Sequence, residues 1–498
     1  MPQETQDVRL DPVAVSDASK LDVVASYPRY DRVKLKCGIA HMSVGGFHRS
    51  HQALYIDRYL QTHSQDWMIY GIGNLDSDIA LVNILNAQDN LYSLTERSRT
   101  TDTLRVIGSI KEFVHAPTNQ AKVIDVLASD DIKIISLTIT EKGYCYDIEK
   151  NLDLDHPMIK ADIAHPEEPV SAIGFVYAAA RRRMKSGGQP FTLMSCDNLP
   201  GNGRIASRII TQFAQACDPE VAQWIQTNVS FPNGMVDRIT PAPSDETTRF
   251  VRDTFGIEDH GALASEDFLQ WIIEDNFING RPALEEVGVQ FVNDVEPYEK
   301  CKVRLLNGSH SALSYLSYLM GYREVDAAMN DSLINEFVRR YMDEDITPCI
   351  PEVPGVDVEA YKKILVERFS NPAISDKIQR LAMDGSEKIP NALVPPIEYQ
   401  LSRRESTKFL AFAVAAWYRY LRGVDEQGNT IDITDPMSQD LIMQATAHPM
   451  DPEGFIGIKE IFGESLSTNP VFIEEVTSAL EAIESMGTKD ALTKLLQK

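Results

Sequence analysis

The segment that most narrows what this chain can become spans residues 33–73. Residues 33–42 are apolar and β-branched with few breakers, which predicts a buried strand. Gly45 and Gly46 follow, and Ala53, Leu54, Ile56 and Leu60 then recur at helical spacing across residues 51–60. Residues 67–72 form a second apolar run, closed by Gly73. Strand, glycine turn, helix and strand make a βαβ unit. Two parallel strands and a right-handed crossover follow, so the region is committed to a layered α/β sheet.

Further strand-like runs at 104–107, 132–139 and 191–194 alternate with helical stretches at 170–183 and 205–217, which extends a mostly parallel sheet. Beyond Lys302 the period becomes helical, at 303–319, 333–342, 356–369, 408–422 and 470–483, with proline-bearing loops between. The expected architecture is an α/β nucleotide-type domain over 1–293 and a mostly α-helical domain over 294–498. Residues 1–30 are polar, lack a clear period and read as an irregular lead-in.

Composition removes several classes of function. The 498 residues carry 48 Lys and Arg against 73 Asp and Glu, a net charge of −25. Such a surface repels phosphate backbones and anionic lipid, so neither nucleic acid nor a membrane is an expected partner. The most apolar stretch, 409–418, ends at Arg419, far short of the roughly 20 residues that a bilayer requires. The first nine residues include Glu4 and Asp7 and lack the apolar core of a signal peptide. The six cysteines stand singly with no CxxC pair, which favours a reducing compartment and a cytoplasmic protein.

Five segments could carry chemistry. Met42-Ser43-Val44-Gly45-Gly46-Phe47-His48-Arg49 lies where a strand passes into a helix, the place where backbone N–H groups approach a pyrophosphate. The full GxGxxG is absent, and an ordinary strand–helix turn is the competing reading. Asp76 and Asp78 follow the second strand, where an acid would hold the ribose hydroxyls of NAD and disfavour the 2′-phosphate of NADP. Lys302, Asn307 and His310 fall within an arc of about 140° on an α-helix at about 100° per residue. Gly308 in that turn costs about 1 kcal/mol against Ala and so marks close packing or ligand approach. Residues 195–200, with Asn198, and 235–241, with Val236 and Asp237, are the other two; each could equally be a plain loop. No His, Cys, Asp or Glu spacing suggests a metal site, and neither a G-x-S-x-G elbow nor a P-loop is present.

Taken together, GIAHMSVGGFHRSHQALYID (38–57), SLTITEKGY (136–144), MSCDNLPGNG (194–203), FPNGMVDRITP (231–241) and RLLNGSHSALSYL (304–316) resemble the polyol-specific long-chain dehydrogenase/reductase family, also called the mannitol dehydrogenase family. Shorter likeness continues through ERFSNPAI (367–374) and DGSEKIP (384–390). The resemblance implies a Rossmann-type domain, NAD as cofactor, and metal-independent interconversion of D-mannitol and D-fructose by hydride transfer at C2. It implies that Lys302 is the general base, with a pKa that burial or a nearby cation must lower from its ordinary value of about 10.4. It further implies that Asn307 and Asn198 stabilise the developing alkoxide, that His310 orients the reacting oxygen, and that Glu299 exchanges the proton with solvent. Asp237, Val236, Arg380 and Lys388 match positions that face the rest of the sugar. The family usually has Gly where Ser43 stands, and Glu-Asp where Ser77-Asp78 stands; the retained acid keeps NAD as the expectation. A fructuronate or tagaturonate reductase of the same family is the alternative enzyme, and a nicotinamide-binding regulator without turnover is the alternative outside catalysis. A site between the two domains and a monomeric chain are expected.

Overall fold

The computed structural model describes residues 8–9, 26–147 and 149–497. Two compact units divide after Val295. The centre of the first is a five-stranded parallel sheet built from β1 (Cys37–Met42), β2 (Met68–Gly73), β3 (Ile110–His115), β4 (Ile134–Leu137) and β5 (Thr192–Ser195). Their spatial order is β3-β2-β1-β4-β5. This is the doubly wound order in which the direction of winding reverses between β1 and β4. Both faces are covered, which is why these strands read as continuous apolar runs. Ala40 and Met42 pack on one face with Ile72, Leu137 and Leu193. Ile39, Ile69 and Ile134 pack on the other, against Ala53, Leu54 and Ile56.

The first strand starts later than its apolar run predicts. Asp31 Oδ1 accepts from the Val33 and Lys34 N–H groups, each at 3.2 Å, and this turn leaves Val33 86% exposed. The helix after the glycine turn comes in two pieces, α1 (Gly46–Ser50) and α2 (Gln52–Leu60), broken at His51 with φ −118° and ψ −89°. Strand Asp102–Ile107 is not in the parallel sheet. It pairs antiparallel with Tyr92–Arg97, which also pairs with Leu263–Glu266. A third sheet joins Gly234–Asp237, Gln270–Glu274 and Gln290–Val292. Most of the predicted lead-in, including the first seven residues, lies outside the described residues. Within it Val8–Arg9 is a short strand parallel to Ile257–Glu258, so that part is not irregular.

The second unit is helical, and among its described residues strand pairing is limited to isolated bridges such as Glu324 with Lys377. Its first helix is continuous but not uniform. α3 (Glu296–Lys302) passes through a π-helical turn at Val303–Asn307 into α4 (Gly308–Leu319). A second π turn, Tyr341–Ile346, touches the first. Gly308 allows the contact: a Cβ there would lie 2.5 Å from Tyr341 Oη.

Candidate active site

In open α/β sheets ligands bind beyond the carboxyl ends of the strands, at the point where winding reverses. Here that point is the loop after β1 together with the start of the loop after β4. Ser43 and Val44 donate to the Ile72 carbonyl at 2.8 and 3.2 Å, which folds the β1 loop back on β2. Ser43 has φ +68°, the left-handed region that glycine adopts freely and serine at a cost. A Cβ on Gly45 would meet nothing closer than the Ser43 oxygen at 3.9 Å, so the loop offers open space there. Gly46 faces Pro243 and Leu263 at ordinary contact distance.

The remaining residues of this loop turn inward. Met42, Val44, His48 and Arg49 are buried, and the Arg49 guanidinium donates to the Gly261 carbonyl at 2.6 Å and lies over the Tyr92 ring. Burial pushes His48 well below its ordinary pKa, with neighbouring His41 and Arg49 adding to the shift. Phe47 stacks on His51. Beyond β2, Asp78 Oδ2 accepts from the Leu75 N–H at 2.9 Å, which holds the carboxylate at the strand end; a Cβ on Gly73 would sit 2.8 Å from Asp78 Cβ.

The loops after β4 and β5 are tied together by Asp197. It accepts from the Thr140 and Ile139 N–H groups at 2.8 and 3.2 Å and from Tyr144 Oη at 2.8 Å. Burial pushes this carboxyl up to about 6, despite those hydrogen bonds. Asn198, next in the chain, is exposed. Asp237 and Val236 are buried on Gly234–Asp237. Arg238 beside them anchors that strand: its fully buried guanidinium donates to Glu96 Oε1 at 2.8 Å and to the Ser50 and Glu266 carbonyls, each at 2.6 Å.

In the second unit, Lys302 ends α3, Asn307 ends the π turn, and His310 lies one turn into α4. This corrects the predicted arc of about 140°. A π turn closes hydrogen bonds between i and i+5 and so brings residue i+5 over residue i. Asn307 is five residues from Lys302, and the two are nearer one face than a plain α-helix would place them. Lys302 is 6% exposed. Burial, and then the charges of Arg380, Arg368, Lys388 and Lys302, hold His310 well below its ordinary pKa, so its imidazole is neutral. Arg380 donates to Asp376 through Nε and Nη2 at 2.8 and 2.5 Å. Burial works to lower the Arg380 pKa, but the bond to Asp376 outweighs it and the net shift is upward. Lys388 is lowered by burial and by Arg380, and its Nζ donates to the Leu381 carbonyl at 3.2 Å. Glu299 is half-buried on α3, one turn before Lys302. Arg368 and Asp376 were not singled out by the sequence; Arg368 lies inside ERFSNPAI, and its burial is the signal that spacing could not show. Among the described residues no group of three or more His, Cys, Asp or Glu could hold a metal ion, and no helix is long and apolar enough to cross a membrane.

Strand order, glycine turn and following acid define a Rossmann-type unit, joined in sequence to a helical unit that carries a lysine, an amide and a neutral histidine. Residues 37–286 match the model of the mannitol dehydrogenase Rossmann domain, and residues 294–484 match that of the mannitol dehydrogenase C-terminal domain. The chain belongs to the mannitol dehydrogenase family. It is 42% identical to mannitol 2-dehydrogenase of Emericella nidulans over 491 residues, covering 97% of each chain. Its fold matches Pseudomonas fluorescens mannitol 2-dehydrogenase, solved as a ternary complex with NAD and D-mannitol, with a TM-score of 0.91, 41% identity and coverage of 99% of this chain and 100% of that one. It also matches a D-sorbitol dehydrogenase in substrate-free form, with a TM-score of 0.86, 36% identity and coverage of 96% and 99%.

Proposed function

We propose that this chain is an NAD-dependent mannitol 2-dehydrogenase that interconverts D-mannitol and D-fructose at C2 without a metal. The observation that carries the reading is the π-interrupted helix with Lys302, Asn307 and His310, in a chain 41% identical along its length to an enzyme solved with NAD and D-mannitol. The β1 loop suits the cofactor: Gly45 leaves space for close approach, and Asp78 stands at the end of β2 for the ribose hydroxyls. NAD bound there would supply the acceptor for the hydride that leaves the alcohol carbon.

Lys302 Nζ takes the hydroxyl proton and passes it toward Glu299, one turn away on the same helix. Asn307 and Asn198 donate amide N–H groups to the oxygen as its charge develops. Neutral His310 orients that oxygen. Arg380, Arg368 and Lys388, whose charges add to the effect of burial on His310, also lower the energy of an alkoxide, because both effects are the same positive potential acting on different groups. Asp237, Val236, Arg380 and Lys388 face the remaining hydroxyls. The keto-uronate alternative requires a cation that a substrate carboxylate can claim, yet Arg380 is already engaged through two nitrogens by Asp376. Lys388, whose Nζ donates to the Leu381 carbonyl, remains for that role, and comparison of fructose with fructuronate turnover separates the two.

The test is an initial-rate assay with D-mannitol, D-sorbitol and D-arabinitol, each with NAD and NADP. D-Mannitol with NAD is expected to be the preferred pair, and Lys302→Ala to lower kcat by about 100-fold or more. Faster turnover of fructuronate than of fructose, or full turnover by Lys302→Ala, would overturn the reading. We further propose that the enzyme acts as a cytoplasmic monomer, a reading supported by its six unpaired thiols as regards compartment. Sedimentation at twice the chain mass would refute the oligomeric part.

A further inference from the structure

A line of hydrogen bonds crosses the sheet where its winding reverses. His41 on β1 and Ser136 on β4 are register partners, two polar residues on strands that are otherwise apolar. Thr138 Oγ1 lies 2.9 Å from the Ser43 carbonyl oxygen and 2.8 Å from His41 Nε2. His41 Nδ1 lies 2.8 Å from Ser136 Oγ. Ser136 Oγ is in turn 3.0 Å from Gln52 Oε1, while Gln52 Nε2 is buried with no partner among the described residues.

The direction of this line is fixed by its end. A carbonyl oxygen only accepts, so the single Thr138 hydroxyl proton goes to Ser43. Thr138 then accepts from His41, which must carry its proton on Nε2, and His41 Nδ1 accepts from Ser136. Ser136 has no proton left for Gln52. Turning the Gln52 amide over exchanges two atoms of nearly equal size and lets its nitrogen donate to Ser136, which also removes the orphaned donor. Every member then makes a bond of the correct sense. Burial pushes His41 down to about 3, so the ring stays neutral and keeps one protonated nitrogen at neutral pH. His48, from α1, stacks on it with ring centroids 3.5 Å apart.

The line ends on the one residue of the β1 loop that needs holding. Ser43 occupies φ +68°, a conformation that disfavours any side chain. We propose that Thr138 and His41 are positioning residues that hold Ser43 in its left-handed turn and so keep the loop over residues 43–46 shaped for the dinucleotide. Serine at 43 and the hydrogen-bond line form one device, which a glycine at 43 would make unnecessary. The inference rests on the reading that this loop binds NAD.

The experiment titrates NADH into the purified full-length protein by fluorescence and measures kcat and KM for NAD. The variants are Thr138→Val, Thr138→Ser, Ser43→Gly and the double variant S43G/T138V. Thr138→Val is expected to weaken NADH binding about fivefold, the equivalent of about 1 kcal/mol for one net hydrogen bond, with kcat at saturation within about twofold. Thr138→Ser, which keeps the hydroxyl, should restore binding. With Gly at 43 the Thr138→Val effect should shrink below about twofold. Equal loss with Ser or Gly at 43, or no loss with either, overturns the proposal. Absence of NADH binding by the unaltered protein would overturn the cofactor reading instead. In that event the same masking, or its absence, in urea midpoints of the four variants decides whether the line holds Ser43.

Discussion

Gly308→Ala gives the sharpest test of the close contact between Gly308 and Tyr341. The new Cβ would lie 2.5 Å from Tyr341 Oη, while its next neighbours, the Ala392 and Val303 carbonyl oxygens, are at a comfortable 3.6 Å. The obstacle is therefore a single atom, and it is rigid: Tyr341 is fully buried, its ring packs near Phe337, and the hydroxyl has no hydrogen-bond partner among the described residues. Overpacking of this kind costs about 2–3 kcal/mol, offset by about 1 kcal/mol for replacing a helical glycine with alanine. The net expectation is a loss of about 1–2 kcal/mol. Tyr341→Phe removes the obstacle together with a buried unpaired hydroxyl, and should be neutral or stabilising by up to about 1 kcal/mol. In that background Gly308→Ala should change sign and stabilise by about 1 kcal/mol, a coupling of about 2–3 kcal/mol. Urea midpoints of the four proteins read this directly. The same loss with Tyr or Phe at 341 would refute the claim that this contact requires glycine.

Arg238→Met should destabilise by about 2–3 kcal/mol in urea, chiefly because it leaves the buried Ser50 and Glu266 carbonyls without their donor, while Glu96 keeps Arg58 and Arg105. Burial pushes Asp345 up to about 7, so between about pH 4 and pH 7 the folded chain binds a proton that the unfolded chain has released, and its contribution to stability falls as pH rises through that window. Asp345→Asn should flatten the pH dependence, closing a gap on the order of 3 kcal/mol between pH 5 and pH 8; an unchanged slope would refute this. Asp78→Ala should lower kcat/KM for NAD by about 10- to 100-fold through loss of charged hydrogen bonds to the ribose, while NADP is affected less. Equal loss with both cofactors would place Asp78 away from the ribose.

What the sequence reveals follows from what each residue needs from distant ones. β1, β2, β4 and β5 are visible because burial on both faces leaves uninterrupted apolar runs. β3 is not, because Lys111 and Glu112 break its pattern. Leu104 does mark a strand, but nothing local shows that its partner is antiparallel and in another sheet. Lys302, Asn307 and His310 stand out because their types and spacing carry chemistry. The π turn between them does not, because hydrophobic periodicity presumes 3.6 residues per turn. Arg380 is visible as a cation, but its engagement by Asp376 appears only once the chain turns from Asp376 into the short helix that carries Arg380. His41 and Thr138 are similar: a lone histidine in an apolar strand and a threonine at a strand end are unremarkable until folding brings them within 2.8 Å.

The bulged helix also bears on how such a site could arise or be lost. A π turn accommodates one residue more than the α-helix it interrupts. Deleting a single residue within 303–306 would let the helix over 296–319 run through as ordinary α-helix, with better hydrogen bonds and no strain to absorb. Lys302 would then stand four residues before Asn307 and seven before His310, about 40° and about 20° away at about 100° per residue, so it would keep its face. The π turn thus lets an extra residue enter the helix without carrying Lys302 away from the face of Asn307 and His310.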